Sequence, residues 1–185
     1  MKELSLNILD ITQNSIKAGA KLISIILDEN RIADRLALTI DDNGCGMDET
    51  TLVKVADPFY TSRTTRSVGL GLPFLKMQAE MTGGDFSITS QVGVGTTVKA
   101  SFLPSSIDFT PLGDLISTVI TLVQGSPELD FIFSHTITDA SIPNGKTEIH
   151  LSTAEIREVL GDEVSLAEQD VLDWIKGSLD EMYAG

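Results

Sequence analysis

Positions 41–47 read Asp41-Asp42-Asn43-Gly44-Cys45-Gly46-Met47, and this stretch decides how the fold of the 185-residue chain is interpreted. It follows the alternating segment 36–40, which predicts a strand, so its carboxylates stand where that strand ends. A carboxylate accepts a hydrogen bond from an exocyclic amine, and glycines let the backbone lie close to a flat ring. An adenine fits this description.

The helix predicted over residues 4–18 carries Asp10, Asn14 and Lys17 on one face, because they are spaced by one and two turns. Mg²⁺ prefers oxygen ligands and keeps most of its waters, so one amide oxygen, from Asn14, together with phosphates would be a sufficient site. A carboxylate one turn earlier, Asp10, is placed to activate water as a general base. The alternative is a solvated helix face, which is favoured for these three residues taken alone.

Two further glycine-containing segments follow along the chain. The segment 69–72, Gly-Leu-Gly-Leu, opens a helix predicted over residues 70–81, where free amides and the positive end of the helix dipole favour phosphate. The segment 93–97, Gly-Val-Gly-Thr-Thr, predicts a tight turn that leads into a strand. Each segment alone would also fit an ordinary turn.

Residues 57–71 are too irregular for a regular element and long enough to predict a functional loop, or lid.

A net charge of −14 argues against a nucleic-acid or anionic-membrane partner. Such a chain must neutralise a triphosphate locally, and backbone amides, Lys17, Arg63 or Arg66 and a metal ion are the groups available for this. No apolar stretch approaches the ~20 residues of a membrane span, and no signal-peptide pattern opens the chain. We therefore expect a cytoplasmic protein.

Four segments, in this order and spacing, resemble the asparagine box and the three glycine boxes of the gyrase, Hsp90, histidine kinase and MutL superfamily; they are residues 14–17, 42–46, 69–72 and 93–97. The resemblance covers about residues 3–103. It implies an α+β fold, a two-layer sandwich of a mixed sheet with helices on one face, with ATP bound between the helical layer and a flexible lid.

The same resemblance implies roles for individual residues. Asn14 would ligate Mg²⁺, Asp42 would receive the adenine amine, Gly46 and Thr97 would line the base pocket, and Gly69 and Gly71 would hold phosphates. Residues 58–63 resemble the F box of histidine kinases. With Asp10 as the catalytic candidate, the predicted nucleotide contacts are Asn14, Lys17, Asp42, Gly44, Gly46, Thr61, Arg63, Gly69, Leu70, Gly71, Leu72 and Thr97.

A change in pattern at Ser105-Ser106 predicts two domains, residues 1–104 and residues 105–185. The second is expected to be a small α/β domain with a partner-binding or regulatory role. Its predicted elements are a helix with an apolar face over 112–123, a strand over 129–137, a partner strand ending near 149 and two final helices. His135 shares a strand face with apolar neighbours, so a packed or hydrogen-bonded core histidine is favoured over a phosphoacceptor.

The leading functional prediction is a stand-alone, histidine-kinase-like ATP-binding protein that acts on, or regulates, a separate protein partner. Only two or three residues precede the first helix, so no helix pair bearing a phosphoacceptor histidine is expected. Two alternatives stay open: an ATPase that uses Asp10 as general base to drive conformational change, and a nucleotide sensor without turnover. The residues leave the partner's identity and the oligomeric state open.

Overall fold

A computed structural model describes residues 3–55, 70–161 and 163–185. These residues form six helices and six strands. In chain order they are α1 (Leu4–Lys17), β1 (Leu22–Asn30), β2 (Arg35–Asp42), α2 (Glu49–Val55), α3 (Gly71–Met81), β3 (Phe86–Gln91), β4 (Gly95–Phe102), α4 (Leu115–Gly125), β5 (Asp130–Thr138), β6 (Lys146–Ser152), α5 (Thr153–Leu160) and α6 (Gln169–Ala184).

The six strands form one sheet in the order β3-β4-β2-β1-β5-β6. Neighbouring strands are antiparallel except β1 and β5, which run parallel. The register sets Ile25 of β1 beside Ile40 of β2 on one side and Phe133 of β5 on the other. Strand β1 therefore joins the first four strands to the last two.

The core lies on one face of this sheet, as the alternation of side chains along β1 demonstrates. Ile23, Ile25 and Leu27 are buried, whereas Ile26 between them is 42% exposed. Successive side chains of a strand point to opposite faces, so this pattern is typical of a sheet covered on one side. Helices pack on the buried side and the opposite face stays open, which confirms the predicted α+β class with a mixed sheet and a helical layer.

The predicted boundary near residue 104 falls between strands of this one sheet. Strands β5 and β6 extend the sheet built by residues 22–102, and the buried side chains of both stretches belong to one continuous core. The ability of residues 105–185 to fold as a separate unit stays a prediction. Residues 105–185 are joined to the rest of the molecule through the nine-residue parallel register of β1 and β5.

The local signals of helix termini explain most element boundaries. Ser152 precedes α5 and its hydroxyl accepts a hydrogen bond from the backbone N–H of Glu155 at 3.4 Å, which confirms the capping pattern predicted there. Helix α2 was not predicted; Asp48 precedes it and accepts from the N–H of Thr51 at 2.7 Å. Within the described part of the chain, no helix has the length and apolar character needed to cross a membrane.

Candidate nucleotide site

A cleft of about 250 Å³ opens between α1, the end of β2, the loop that follows it and α3. It brings together five of the residues predicted to contact a nucleotide: Asn14, Lys17, Asp42, Gly46 and Leu72. Its lining comprises Ile11, Asn14, Ser15, Lys17, Ala18, Ile40, Asp42, Cys45, Gly46, Met47, Thr51, Leu72, Thr96 and Val98. The lining thus combines apolar side chains with polar and charged ones.

The carboxylate of Asp42 is held in one orientation by two hydrogen bonds. Its Oδ2 accepts from the Ser15 hydroxyl at 2.5 Å, and its Oδ1 accepts from the Gly44 N–H at 2.9 Å. An ionised carboxylate has about four acceptor positions, so capacity remains for an amine of a ligand. The arrangement can therefore recognise a hydrogen-bond donor on a flat ring that enters over the apolar floor.

Gly46 is required by the packing of the loop, in addition to any role towards a ligand. Its φ is +66°, and a Cβ added to it would overlap the carbonyl oxygen of Gln91 at the end of β3. Backbone bonds hold the loop on both sides, because Cys45 N–H donates to the Ala18 carbonyl and the Cys45 carbonyl accepts from Gly93 N–H. The close approach of these segments fixes one wall of the cleft.

Asn14 and Lys17, which the sequence predicts to face the metal ion and the phosphates, both line the cleft. The Nδ2 of Asn14 is buried and has no acceptor in the described part of the chain. Its amide is therefore not held by an internal hydrogen bond through this atom. Lys17 is exposed and lines the cleft, so its ammonium is accessible to an anion there. The Asn14 amide and the Lys17 ammonium line the same cleft, and this pair of groups suits a metal-bound polyphosphate.

Asp10 does not line the cleft; it contacts the start of α3 instead. Its Oδ2 accepts a hydrogen bond from the backbone N–H of Gly71 at 3.0 Å. Gly71 was predicted to hold a phosphate. In the structure its backbone N–H instead donates to Asp10, a partner that the sequence did not reveal. Leu70 directly precedes α3 and is exposed, and Leu72 turns its side chain into the cleft.

The structure does not bring Thr97 to the cleft. Its hydroxyl donates to the carboxylate of Asp41, and both residues lie on the open face of the sheet. The cleft is lined instead by Thr96, which stands opposite Asp42 in the register of β2 and β4. The strand period carries the signal for this, because Thr96 shares its face with the apolar Val98, whereas Thr97 does not.

Three predicted contacts, Thr61, Arg63 and Gly69, lie outside the described residues, as do residues 57–69 of the loop predicted over 57–71; Gly71, the last residue of that prediction, begins α3. Conversely, sequence reasoning missed Ser15 and Thr51. Ser15 orients Asp42, and Thr51 lies on the unpredicted α2. Hydrogen bonds from Thr51 lower the pKa of Asp48, the residue that precedes this helix. Ser15 is one of four buried polar residues of α1, with Ser5, Asn7 and Thr12, and its place next to Asn14 is the signal that could have identified it.

A second polar cluster lies at the other end of β1, and we call it the closed cluster: Glu29, Arg31, His135, Asp139 and Tyr183. His135 is 2% exposed; its Nδ1 lies 2.8 Å from the Tyr183 hydroxyl and its Nε2 lies 3.2 Å from Oε2 of Glu29. Arg31 bridges Glu29 at 2.7 Å and Asp139 at 3.1 Å. The prediction of a hydrogen-bonded core histidine is confirmed.

The fold and the cleft define a nucleotide-binding protein of the two-layer α/β type. The chain belongs to the family described as histidine kinase-, DNA gyrase B-, and HSP90-like ATPase, whose family model matches residues 2–107. It therefore carries an ATP-binding domain of the histidine-kinase-like class.

Two relatives illustrate the extent of the similarity. The chain is 34% identical over 98 residues to the signal transduction histidine-protein kinase AtoS of Escherichia coli, and 35% identical over 102 residues to the sensor protein SrrB of Staphylococcus aureus. Each match spans 52% of this chain, but only 16% of AtoS and 17% of SrrB. The similarity therefore concerns one domain of each relative.

Two solved structures share the fold. The N-terminal domain of a DNA repair protein has a TM-score of 0.56 at 18% identity, and the alignment covers 88% of this chain and 58% of that one. The ATPase domain of MutL from Aquifex aeolicus, complexed with ADP, has a TM-score of 0.53 at 13% identity and coverages of 86% and 69%. The shared fold therefore extends beyond residues 2–107.

Proposed function

We propose that the cleft binds ATP together with Mg²⁺, and that the chain is a histidine-kinase-like kinase or regulator that acts on a separate protein partner. The observation that carries the first part is the carboxylate of Asp42. Ser15 and Gly44 orient it in a cleft with apolar lining residues, and Asn14 and Lys17, the residues proposed to meet the metal ion and the phosphates, line the same cleft.

The residues present fit Mg²⁺ better than a metal with a full set of protein ligands. Among residues 3–55, 70–161 and 163–185, no group of three or more His, Cys, Asp or Glu side chains could hold a metal ion. Mg²⁺ is commonly bound through one or two protein oxygens, substrate phosphates and water. The amide of Asn14 would supply the protein oxygen, and the bound ion would neutralise charge on the phosphates.

The distribution of charge supports a protein partner for the C-terminal half. Residues 105–185 contain fifteen Asp and Glu but three Lys and Arg, whereas residues 1–104 contain twelve and ten. Most of the net negative charge, −12 of −14, thus lies outside the half that holds the cleft. An acidic surface with an exposed Trp174, which is 58% accessible, favours a partner with a basic contact surface.

Calorimetry with neighbouring carboxylates tests the pocket. Asp42→Ala should weaken binding of ATP with Mg²⁺ by about 100-fold or more, because it removes the charged acceptor that receives the adenine amine. Asp41→Ala is the matched control, since Asp41 lies on the open face and pairs with Thr97. Unchanged affinity in Asp42→Ala would place the purine elsewhere.

Label transfer tests the kinase part of the proposal. The wild-type chain, incubated with ATP labelled at the γ-phosphate in an extract of the native cell, should label a second protein. Asp42→Ala should not do so. If the only product were free labelled phosphate, the kinase proposal would fail and the ATPase alternative would stand.

The ATPase is the second candidate, predicted from the position of Asp10 one turn before Asn14 on α1. Asp10 does not line the cleft, and its Oδ2 accepts from Gly71 N–H at 3.0 Å, which leaves Oδ1 for a water. In that reading Asp10 accepts a proton from the attacking water. Asp10→Asn keeps the shape of the side chain but removes the base, so hydrolysis that survived this change would rule the mechanism out.

A further inference from the structure

Strand β6 forms one edge of the sheet, and its outer backbone groups are free. The Asp139 N–H donates to the Gly145 carbonyl at 3.1 Å, so these two residues face each other as a hydrogen-bonded pair. Along an antiparallel ladder such pairs alternate with pairs that are not hydrogen-bonded. The N–H and C=O groups of Lys146, Glu148 and His150 therefore point away from β5. Among the described residues no other segment bonds to these groups.

The chain that follows β6 leaves this edge open. Helix α5 contacts β5, and the Arg157 guanidinium donates to the carbonyl of Leu129 at 2.5 Å, directly before that strand. An uncovered edge strand is a template for pairing with another chain, and charged side chains are a common protection against it. In β6 the two charges, Lys146 and Glu148, form an ion pair with each other. The strand thus has no net charge, although it lies in the acidic half of the chain.

Helix α6 has an exposed side above the same edge. It contacts β6, and it contacts α4, which lies between α6 and α1. Its residues in the groove towards α4 are Gln169, Leu172, Asp173 and Lys176. Trp174, Ser178 and Met182 follow one another at successive turns on the opposite side. Trp174 is 58% exposed and Met182 is 37% exposed. Because β6 is the last strand, this side faces beyond the sheet.

A second copy of the chain fits this edge by two-fold symmetry. Antiparallel pairing of two β6 strands about Ile149 matches all seven residues of each. It sets Glu148 beside His150 of the second copy, twice. A register centred on Glu148 would instead oppose two carboxylates, which is unfavourable. The two-fold axis is perpendicular to the sheet, so both α6 helices lie on the same face and turn their exposed sides to each other.

We propose that the outer edge of β6 and the exposed side of α6 join two copies of the chain into a two-fold dimer whose sheet continues from one copy into the other. Ser178 and Met182 of the two copies pack together. Trp174 lies nearer the outer surface of α6, at the rim of the contact, where it stays accessible to a separate protein partner. The dimer does not depend on bound nucleotide, so its failure and that of the proposed function are separate outcomes.

Sedimentation of the full chain at rising concentration tests for the dimer. The Kd for self-association should lie below about 100 μM, and a monomer up to about 1 mM would overturn the proposal. Residues 105–185 of both copies carry a net charge of −12, so screening by salt should tighten the dimer. Binding to a separate partner with a basic surface should weaken with salt. Self-association that weakened with salt would also overturn the proposal.

Two substitutions of His150 test the role of the outer backbone groups. His150→Pro removes the outward N–H at two places in the dimer and leaves the bonds to β5 intact. The Kd should rise by about 30-fold or more. His150→Thr keeps the N–H, and its Kd should stay within about fivefold of wild type. An equal Kd in the two variants would rule out pairing through β6. Urea unfolding at low concentration verifies that both monomers fold.

An added charge tests the contact of α6. Met182→Glu should raise the Kd by about tenfold or more, because the two new carboxylates would face each other. Thr121→Glu is the matched control, since Thr121 is exposed on α4 and lines the groove on the far side of α6. Equal effects of the two variants would exclude α6 from the contact.

Cross-linking tests the register independently, in the background Cys45→Ser, which removes the one native thiol. Ile149→Cys sets two thiols in a non-hydrogen-bonded pair at the two-fold axis, with Cα atoms about 4.5 Å apart, so mild oxidation should give a covalent dimer. Leu151→Cys is the matched control: Leu151 is also buried on β6, but its two copies would lie about 14 Å apart. Equal cross-linking of both variants, or none in Ile149→Cys, would overturn the dimer as proposed.

Discussion

The cleft and the closed cluster lie on the same face of the sheet, at opposite ends of β1, and use their polar groups in opposite ways. Ile23 at one end of β1 stands beside Asp42 of the cleft, and Glu29 at the other end belongs to the closed cluster. In the cleft Asn14 keeps a buried amide atom without a partner, and in the closed cluster both nitrogens of His135 are bonded.

This difference distinguishes a site from a structural contact. An unpartnered buried polar atom costs about 1–3 kcal/mol. Asn7 and Thr12 on α1 also carry such an atom, but of the three residues it is Asn14 that lines the cleft, where a ligand can satisfy it. A network whose members satisfy one another stabilises the fold. Four members of the closed cluster also line a cavity of about 310 Å³, namely Glu29, Arg31, His135 and Tyr183. We therefore expect changes to the polar groups of the two regions to separate: a change to Asp42 should alter nucleotide binding, and variants of the closed cluster should alter stability alone.

The largest effect is expected from Gly46→Ala in the wall of the cleft. The new Cβ would meet the backbone of Gln91 at a positive φ, and the free energy of unfolding should fall by about 3–5 kcal/mol. Gly93→Ala is the control, because Gly93 has a similar φ of +77° but open space around it, and it should lose only about 1–2 kcal/mol. Urea unfolding measures the free energy of unfolding of both variants. Equal losses would mean that the contact with the Gln91 backbone does not account for the effect of Gly46→Ala.

The next effect concerns the centre of the closed cluster. His135→Phe fills the space but leaves Glu29 and Tyr183 without their shared partner, and should lower the free energy of unfolding by about 2–3 kcal/mol. ATP affinity, measured under conditions where the protein is folded, should not change. His150→Phe, on the exposed face of β6, should be nearly neutral. Loss of ATP affinity in His135→Phe would remove the distinction between the two regions.

The smallest effect is expected from acid. The pKa of Glu29 is below its ordinary value of 4.5, first because of the hydrogen bond from His135, while Arg31 adds a further bond and a positive charge and burial opposes them. A lowered pKa in the folded state stabilises the protein above pH 4.5, and this contribution is lost as the pH falls through the folded value.

The acid effect is measured by comparing Glu29→Gln with wild type. Urea unfolding from pH 6 downwards should give a difference in stability between the two that shrinks below about pH 4.5. Asp28→Asn, an exposed neighbour on the open face, should follow wild type over the whole range. A constant difference between Glu29→Gln and wild type would show that the charge of Glu29 is not what stabilises the closed cluster.

Periodic patterns predicted the elements well, since they report which side chains are apolar along one segment. The strand predicted over 36–40 is Arg35–Asp42, and the helix predicted over 70–81 is Gly71–Met81. Helix α2 was missed because seven residues give too few turns for a period. The parallel pairing of β1 with β5 was also missed, because a register between distant segments leaves no trace in either of them.

In the site, the sequence predicted which residues line the cleft more readily than it predicted which residues hydrogen-bond to one another. Asp42, Asn14 and Lys17 meet in the cleft as the motifs indicated. Thr97 was predicted to line the pocket, but Thr96 lines the cleft. The alternation of side chains along β4 explains the difference, because Thr96 lies on the same face as Val98. The pairing of Asp10 with Gly71 depends on how α1 and α3 cross, and this is decided by packing between helices rather than by local sequence.

The parallel register of β1 with β5 has a consequence for how the chain folds. One edge of β1 pairs with β2, which follows it after a short turn. The other edge pairs with β5, and its register joins Leu22 to Asp130, far along the chain. Contacts between such distant segments carry a high loop-closure cost and form late. During synthesis, one edge of β1 is therefore left open to other strands until more than a hundred further residues have emerged, and this interval is when the protein is most exposed to misassembly.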